Sequence, residues 1–526
     1  MSENRGITRS AGTLGIATLF SRIGGLVRDM VIAGLFGAGF ATDAFFVAFT
    51  LPNLLRRFFA EGSLTAAFVP VFSQVYHRDR EEGAKPLADR CWTLLTLVMV
   101  VVVLLGIFFS PYLVQLIGYG FADTPGKLHL TDQLNRVMFP YLFFVSLLAL
   151  ATGILNVRGR YFVPAVSPLV LNLAIIACAL FLGSRFDQPI FALAWGVVLG
   201  GLLQLVMQVP GLRRIGFLPR PRLGLRHPDV SKISRLMLPG IAGVAIYQIN
   251  VIVTRLLASF LPEGSVSYLY YGQRLFEFPQ GIIVASLAQA LLPTLSRQAA
   301  DNQGDAFRDS LRHSMSLLLL ILLPATIGMV LCAKPIYSLF FMRGAFDAEA
   351  VRQTSYALAA YAPGLLFVGI SRLVVPTFYA MQDTRTPVLV SFWTLLVNVG
   401  FGLLLMGPFQ HIGLAFALTL SALFNAAVLL VLLRRRFPDV SLGVVWNGVW
   451  RLLPGLAGML VVVKLLLAQC DWSVAGESWV KGGWLAAAVV GGGVSYLLIC
   501  RGCRVPNLDV IGDLLLRRRL PKGKSL

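Results

Sequence analysis

Polar and charged side chains recur at helical spacing within residues 43–74, an otherwise apolar stretch. They are three, four or seven residues apart and would share one face of a helix. The members of this stripe are Asp43, Thr50, Asn53, Arg57, Glu61 and Thr65. Arg57 and Glu61 are four apart and can form an ion pair, with Arg56 beside them. In a membrane, a charge at the bilayer centre costs about 2.5–3.5 kcal/mol on insertion scales. Such a stripe therefore predicts a water-filled cavity inside a bundle of helices.

Two other apolar segments carry comparable polar residues. Residues 266–296 contribute Ser267, Arg274 and Glu277, and residues 10–36 contribute Arg22, Arg28 and Asp29. The planar fork of arginine suits bidentate contacts with phosphate. Because arginines outnumber acids in this set, we expect an anionic, phosphate-bearing ligand. The alternative is that adjacent opposite charges, such as Arg28 and Asp29, only neutralise each other.

Composition places these stripes in a membrane protein. The 526 residues are 57% hydrophobic and 13% charged, and the mean hydropathy is +0.76. A soluble globular chain of this length does not have that composition. The formal charge of +20 is explained by basic loops that set topology, so nucleic acid is not expected as a partner. The first apolar segment contains Arg22 and Arg28 and lacks the features of a cleavable signal peptide.

Apolar segments of spanning length, about 20 residues each, predict an all-α polytopic membrane protein with about fourteen transmembrane helices. The segments lie near 10–36, 43–75, 91–117, 132–156, 163–184, 190–211, 233–260, 266–296, 311–333, 353–380, 387–407, 412–433, 447–468 and 482–500. The alternate loops that include both termini hold about thirty Lys and Arg, and the opposite loops about five. Both termini are therefore predicted to be cytoplasmic.

An internal repeat is visible at an offset of about 223 residues. Pro70 and Ser73 match Pro293 and Ser296, Pro140 matches Pro363, and Pro164 matches Pro387. The repeat predicts two pseudo-symmetric six-helix lobes, residues 1–223 and 224–446, around a central cavity. Residues 447–526 would add two helices and a basic cytoplasmic tail. Parallel repeats of this kind are typical of alternating-access transporters.

Signatures of catalysis or metal binding are weak. The sequence has no complete phosphate-binding loop motif and no nucleophile elbow, and its five histidines are scattered, mostly at predicted loop edges. Cys500 and Cys503 form a lone C-x-x-C at the end of the last apolar segment, a weak metal or redox signal. We therefore expect a transporter that uses an ion gradient or the membrane potential, without a cofactor or bound metal.

Several motifs closely resemble the MurJ (MviN) lipid II flippases of the multidrug/oligosaccharidyl-lipid/polysaccharide exporter superfamily. They are Phe20-Ser21-Arg22, Val27-Arg28-Asp29, the run from Ala41 to Phe49, the run from Leu51 to Gly62, and the run from Gly264 to Pro279. The resemblance covers nearly the whole chain, loops included.

This resemblance implies a flippase in the bacterial cytoplasmic membrane that carries the undecaprenyl-pyrophosphate-linked peptidoglycan precursor, lipid II, to the periplasmic leaflet. It also implies a lipid-exposed groove formed by the C-terminal helix pair. The implied substrate-binding residues are Arg22, Arg28, Arg56, Arg57 and Arg274. Asp29, Asp43, Asn53, Glu61, Ser267 and Glu277 would support or gate the cavity. Membrane lipids and proteins of cell-wall synthesis or division are the implied partners.

Alternatives remain open at this point. An exporter of another lipid-linked oligosaccharide would share these features. A drug exporter would need an acidic cavity, and a polyprenyl-phosphate enzyme would need a cluster of catalytic acids or histidines. Some family members bind sodium in the second lobe through acidic residues. The corresponding helices here carry Asn250, Asn398 and Asn425 and no mid-span acid, so sodium coupling is not expected.

Overall fold

Long apolar runs interrupted by Pro, Gly and basic loops fold into helices. The structure is a computed structural model that describes residues 2–58, 63–224, 227–284, 293–298, 301, 304–436, 442–505 and 508. In these residues the regular structure is helical, apart from an isolated bridge between Arg343 and Phe346. Glu61 and the tail after residue 508 lie outside the described residues.

The first half of the chain provides α1 (Ser2–Phe36), α2 (Phe40–Arg56), α3 (Ser63–Phe108), α4 (Ser110–Gly118), α5 (Lys127–Met138), α6 (Tyr141–Val157), α7 (Phe162–Leu182), α8 (Phe191–Val206), α9 (Val209–Arg214) and α10 (Pro228–Ser259). The second half provides α11 (Ser265–Pro279), α12 (Gly304–Phe340), α13 (Ala348–Tyr361), α14 (Gly364–Ala380), α15 (Arg385–Arg436), α16 (Leu442–Leu467) and α17 (Ser478–Gly502).

Nine helical stretches of the described chain are long and apolar enough to cross a membrane. Two of them, Leu64–Phe108 with 45 residues and Arg385–Arg436 with 52, exceed the roughly 20 residues that one crossing needs. Each contains a residue with positive φ, Arg80 (φ 52°) and Gln410 (φ 49°), where two predicted segments meet. The described parts of the fourteen predicted segments are almost wholly helical. The predicted class, an all-α polytopic membrane protein, is confirmed.

The chain forms two compact units, Met1–Ser267 and Tyr268–Leu526. In the first unit, α10 packs against α3 and α4. The apolar core there joins α3 and α6 to the start of α10, with Phe68, Phe72 and Phe217 fully buried. The lobe boundaries read from the repeat, at 223/224 and 446/447, remain a prediction.

In the second unit, the two C-terminal helices pack against each other and against α12. The Tyr496 hydroxyl donates to the Leu320 carbonyl oxygen across 2.9 Å. Close approach of α16 to α17 depends on small residues. A Cβ at Gly455 would lie 2.6 Å from the Cys500 Sγ, and one at Gly492 would lie 2.5 Å from Val463. These contacts fix the helix pair against α12.

Candidate functional site

Arg28 lies in a buried polar cluster of the first unit. Its Nε and Nη2 donate to Asp29 Oδ1 at 3.0 and 2.7 Å, and its Nη1 donates to Asn172 Oδ1 at 3.1 Å. Arg28 is 7% exposed and Asp29 is 0% exposed. The Asn172 amide also donates to the Ser21 carbonyl at 3.3 Å, which ties α7 to α1. Asp29 thus neutralises Arg28 as the alternative interpretation expects, and the predicted role of Arg28 in substrate binding remains untested.

Close packing of α1 on α7 makes this cluster possible. A Cβ at Gly24 would lie 2.5 Å from Leu169 Cδ1 and 3.6 Å from Asn172 Nδ2. Glycine therefore lets α7 approach until the amide of Asn172 reaches the backbone of α1. Asn172 was not among the predicted site residues. The sequence offers only a weak signal for Asn172, because a single asparagine in an apolar helix can be recognised as a site residue only when its hydrogen-bond partner is known.

The polar stripe of α2 runs from buried to partly exposed positions. Thr50 is 8% exposed and its hydroxyl donates to the Phe46 carbonyl at 2.7 Å. Asn53, Arg56 and Arg57 are partly buried, as is Arg22 of α1. Arg56 Nε donates to Asn53 Oδ1 at 3.1 Å. Glu61 lies outside the described residues, so its predicted ion pair with Arg57 stays a prediction.

Arg274 belongs to the second unit and is more exposed than Arg28. Its guanidinium lies 3.6 Å from the Glu277 carboxylate one turn along α11, with side chains 41% and 36% exposed. Gln273 also donates to Glu277 at 3.3 Å. Exposed pairs of this kind contribute only about 0.2–1 kcal/mol, so the contact between Arg274 and Glu277 costs little to break. The predicted convergence of the five arginines on one cavity remains a prediction.

Asp43 is the centre of a second buried cluster, which we call the Asp43 cluster: Asp43, Lys127, Gly264 and Ser267. Asp43 Oδ2 accepts from Lys127 Nζ at 3.0 Å and from the Gly264 backbone N at 2.8 Å. Oδ1 accepts from the backbone N and the hydroxyl of Ser267, at 2.9 and 2.7 Å. Asp43 is 1% exposed, Lys127 3% and Ser267 0%. The carboxylate therefore caps the N-terminus of α11, where free N–H groups and the helix dipole favour an anion.

Glu263 makes the reciprocal contact with α2. Its Oε1 accepts from the Phe40 backbone N at 2.6 Å, between residues 223 apart. Asp43 and Ser267 are 224 apart. The helices that start at equivalent positions of the sequence repeat thus meet at their N-termini, and each is capped by a carboxylate beside the other.

Lys127 is the cation of the Asp43 cluster, and the sequence analysis did not select it. Its Nζ lies 4.4 Å from the Phe121 ring centroid and 5.7 Å from that of Phe40, so two aromatic faces assist Asp43 in stabilising the buried charge. Read along the chain, Lys127 is one of the few basic residues of the predicted periplasmic loops. The scarcity of basic residues in those loops was the sequence signal that could have singled out Lys127.

The turn after α4 supports the Asp43 cluster through a close backbone approach. Gly120 N donates to Ser259 Oγ at 3.0 Å. A Cβ at Gly120 would lie 2.6 Å from the backbone of Ser259 and Phe260. The end of α10 can therefore approach this turn only because residue 120 has no side chain.

Other titratable groups give no metal site in the part of the chain that the structure describes. No group of three or more His, Cys, Asp and Glu is arranged to hold a metal ion there. Cys500 is buried and Cys503 is partly buried, and both are free thiols. His411 follows the bend at Gln410, at a predicted loop edge, and is nevertheless buried, at 2% exposure, against the Tyr268 ring.

Comparison with known proteins agrees with this geometry. The chain matches the family described as "Lipid II flippase MurJ" over residues 32–483. A Vibrio cholerae serotype O1 protein described as "Probable lipid II flippase MurJ" is 38% identical over 436 residues, which cover 82% of this chain and 83% of the relative.

Two solved structures share the fold. One is described as "Lipid II flippase MurJ, inward closed conformation"; it has a TM-score of 0.72 at 24% identity and covers 96% of this chain and 99% of that one. The other is an inward-facing multidrug resistance MATE family transporter of the MOP superfamily, with a TM-score of 0.65 at 14% identity. It covers 80% of this chain and 95% of that chain. Because the family match extends over residues 32–483 of the 526-residue chain, this multi-pass membrane protein belongs to the lipid II flippase MurJ family, whose members are transporters rather than enzymes.

Proposed function

We propose that this chain is a lipid II flippase that carries the polyprenyl-diphosphate-linked precursor from the cytoplasmic to the periplasmic leaflet. The observation that carries the proposal is the family match over most of the chain, together with arginines placed along apolar helices. Arg22, Arg28, Arg56, Arg57 and Arg274 are the proposed ligands of the diphosphate. Ionised guanidinium–phosphate contacts are strong when partly desolvated.

The Asp43 cluster is the proposed gate of this transporter. Its hydrogen bonds hold the start of α11 to α2 and α5 in the structure described here. By the proposed topology this cluster lies at the periplasmic end of α2 and α11. A site that bound substrate equally in two states would shift nothing. Release therefore requires a second state in which the arginine contacts are weaker.

The proposed orientation places both termini and the segment after α9 in the cytoplasm, because basic residues are concentrated in those loops. The test is maleimide labelling of Arg222→Cys in intact cells and in inverted vesicles. Labelling from the periplasm alone would refute the orientation.

The proposed driving force is the membrane potential rather than a sodium gradient. The support is the arginine surplus of the predicted cavity and the absence of a mid-span acid in the sequence of α10 and of α15. The measurement is flipping in vesicles with an imposed potential, with and without sodium. A requirement for sodium at constant potential would contradict it.

Complementation tests the substrate. The chain should restore growth to bacterial cells depleted of their lipid II flippase. The second candidate is export of another lipid-linked oligosaccharide, because arginine would bind the phosphate of either substrate. It predicts no rescue of those cells but rescue of cells that lack the corresponding oligosaccharide flippase. An Arg352→Ala variant, altered in an exposed ion pair outside the proposed site, is the matched control for variants of the proposed arginine ligands in the same assay.

A further inference from the structure

The segment that joins α9 to α10 forms an extended strap along α3. We call residues 217–224 the strap. Pro219 and Pro221 have no backbone N–H. The residues that follow each proline, Arg220 and Arg222, both donate their backbone N–H to a side chain of α3. Arg220 N donates to Asp89 Oδ1 at 3.0 Å, and Arg222 N donates to Thr93 Oγ1 at 2.9 Å.

The spacing of the two acceptors on α3 matches the spacing of the two donors on the strap. Asp89 and Thr93 are four residues apart on α3, about 6 Å along the helix axis. Residues two apart in an extended proline-rich chain are also about 6 Å apart. A residue before proline is restricted to extended backbone, which applies to Arg220. The strap is therefore held in register on α3.

Close packing fixes both ends of the strap. Phe217 is 1% exposed and packs edge-on against Phe72, with 5.8 Å between ring centroids. Gly224 lies against Arg90, where a Cβ would approach the Arg90 Nε to 2.7 Å. Asp89 is itself 5% exposed and also pairs with Lys85. The strap thus has a defined shape before any ligand binds.

The outer surface of the strap and of the adjacent end of α9 carries unpaired cations. Its exposed arginines are Arg213, Arg214, Arg220 and Arg222. None of them forms an ion pair with a carboxylate of the described chain. Leu218 and Leu223 beside them are 44% and 78% exposed.

The strap begins close to the end of a candidate membrane span. By length and composition, Phe191–Arg214 is a candidate membrane-spanning stretch that ends at these arginines. A span that ends there would place the start of the strap at the level of the lipid headgroups. Arginines there meet phosphate, and leucines beside them can enter the upper acyl region. A soluble anion would leave both leucines in water.

We infer that the strap is a preformed binding surface for anionic phospholipid headgroups of the surrounding membrane. The arginines contact the phosphates through their forked donors, while Asp89 and Thr93 act as positioning residues. A basic residue near an anionic surface strengthens binding by about fivefold. This inference depends neither on the flipped substrate nor on which side of the membrane the strap faces.

The experiment measures binding of phosphatidylglycerol and phosphatidylcholine to the purified full-length protein by native mass spectrometry. The wild type should retain phosphatidylglycerol preferentially, and the preference should fall with added salt. Arg220→Gln/Arg222→Gln should weaken phosphatidylglycerol binding about thirtyfold. The matched control, Arg501→Gln/Arg504→Gln, removes two exposed arginines at the end of the last helix and should change it less than about threefold, since they lie off the strap.

A second variant separates shape from charge. Thr93→Val keeps the net charge but removes the acceptor of Arg222 N, so it should weaken phosphatidylglycerol binding severalfold; it also serves if the double arginine variant does not fold. Equal retention of both phospholipids by the wild type, or equal losses in the strap and control variants, would overturn the inference. So would displacement of phosphatidylglycerol by equimolar undecaprenyl diphosphate, which would make the strap a substrate site.

Discussion

At the scale of single residues, two arginines that the sequence treats alike differ in their surroundings. Arg28 is buried with Asp29 and Asn172, whereas Arg274 shares a partly exposed pair with Glu277. Removing one member of a buried ion pair leaves an uncompensated charge, which costs about 3–5 kcal/mol. Removing a member of an exposed pair costs under about 1 kcal/mol. Stability and transport should therefore separate at Arg274 and fall together at Arg28.

Arg274→Ala should keep near wild-type stability and lower the flipping rate about ten- to a hundredfold, the value of one charged hydrogen bond. Arg274→Lys should transport equally poorly, because it keeps the charge but loses the fork. Flipping in vesicles and thermal unfolding are the measurements. Arg352→Ala, in an exposed pair with Glu349 of the same spacing, should affect neither. Normal flipping by Arg274→Ala would remove this residue from the site.

Arg28→Ala should lower the free energy of unfolding by about 3–5 kcal/mol, because Asp29 would remain buried and charged. Arg28→Ala/Asp29→Asn should recover part of that loss without recovering transport. Thermal unfolding of the three proteins gives the coupling energy. A fully stable Arg28→Ala protein would show that the buried pair does not stabilise the fold.

Lys127 offers a similar test at the proposed gate. Lys127→Met should destabilise by about 3–5 kcal/mol because Asp43 loses its cation, and Lys127→Met/Asp43→Asn should be the more stable of the two variants. Lys334→Met is the control, since Lys334 is exposed and donates to the Ser473 hydroxyl; it should lie within about 0.5 kcal/mol of wild type. If the double variant were the less stable one, Lys127 would not be the counter-charge of Asp43.

At the scale of elements, helix ends decide which segments meet. The start of α11 is capped by Asp43 and the start of α2 by Glu263, so neither helix end is satisfied by its own sequence alone. The start of α15 is capped by Asp383, which accepts from the Thr386 N at 3.0 Å and hydroxyl at 2.8 Å. Arg436, at the far end of the same bent helix, lies 2.7 Å from Asp383. One carboxylate therefore closes the α15 hairpin.

Gly120→Ala should loosen the contact of the α4 turn with α10. Its Cβ would meet backbone atoms 2.6 Å away, which cannot rotate aside, and overpacking of this kind costs about 1–3 kcal/mol. Gly400→Ala is the control: nothing lies within 4 Å of its Cβ, and removing a helical glycine should stabilise by up to about 1 kcal/mol. Thermal unfolding in detergent would show opposite shifts. An unchanged Gly120→Ala protein would mean that the backbone can yield here.

Asp383 should make stability depend on pH. Hydrogen bonds from the Thr386 backbone and hydroxyl, followed by Arg436, hold the pKa of Asp383 below its usual range. Its contribution is then complete above the unfolded-state pKa of about 3.9 and is lost as pH falls through the lower folded-state pKa. Thermal unfolding from pH 6 downward should show a smaller loss for Asp383→Asn than for wild type. Parallel curves would exclude this carboxylate as a source of acid sensitivity.

At the scale of the whole molecule, the proposed mechanism moves charge. A diphosphate only partly compensated by arginine carries negative charge outward, and each charge gains about 2.3 kcal/mol per 100 mV with the interior negative. Collapsing the potential while ATP is maintained should therefore stop flipping in cells. Dissipating only the pH gradient is the control and should leave it unchanged. Undiminished flipping in depolarised cells would show that the potential does not drive transport.

The sequence by itself determined the class of the molecule and the elements that carry the site. Apolar runs of spanning length have one stable backbone solution in lipid, the helix, so the helical segments were predictable from hydropathy. Polar and charged residues at helical spacing also singled out Arg28, Asp43, Arg274 and Ser267. These features are local, since period and composition are read within a single helix.

Only the tertiary structure decided which of these side chains are paired and with what. The partners of Arg28 and Asp43 include Asn172, 144 residues away, and Lys127, 84 residues away, and no periodicity connects residues at such separations. The role of the glycines at positions 24 and 120, which let another segment pack closely against them, can be recognised only once that segment is known. A buried charge must find its partner from another segment because no water is available to solvate it, and packing alone determines which segment comes close enough.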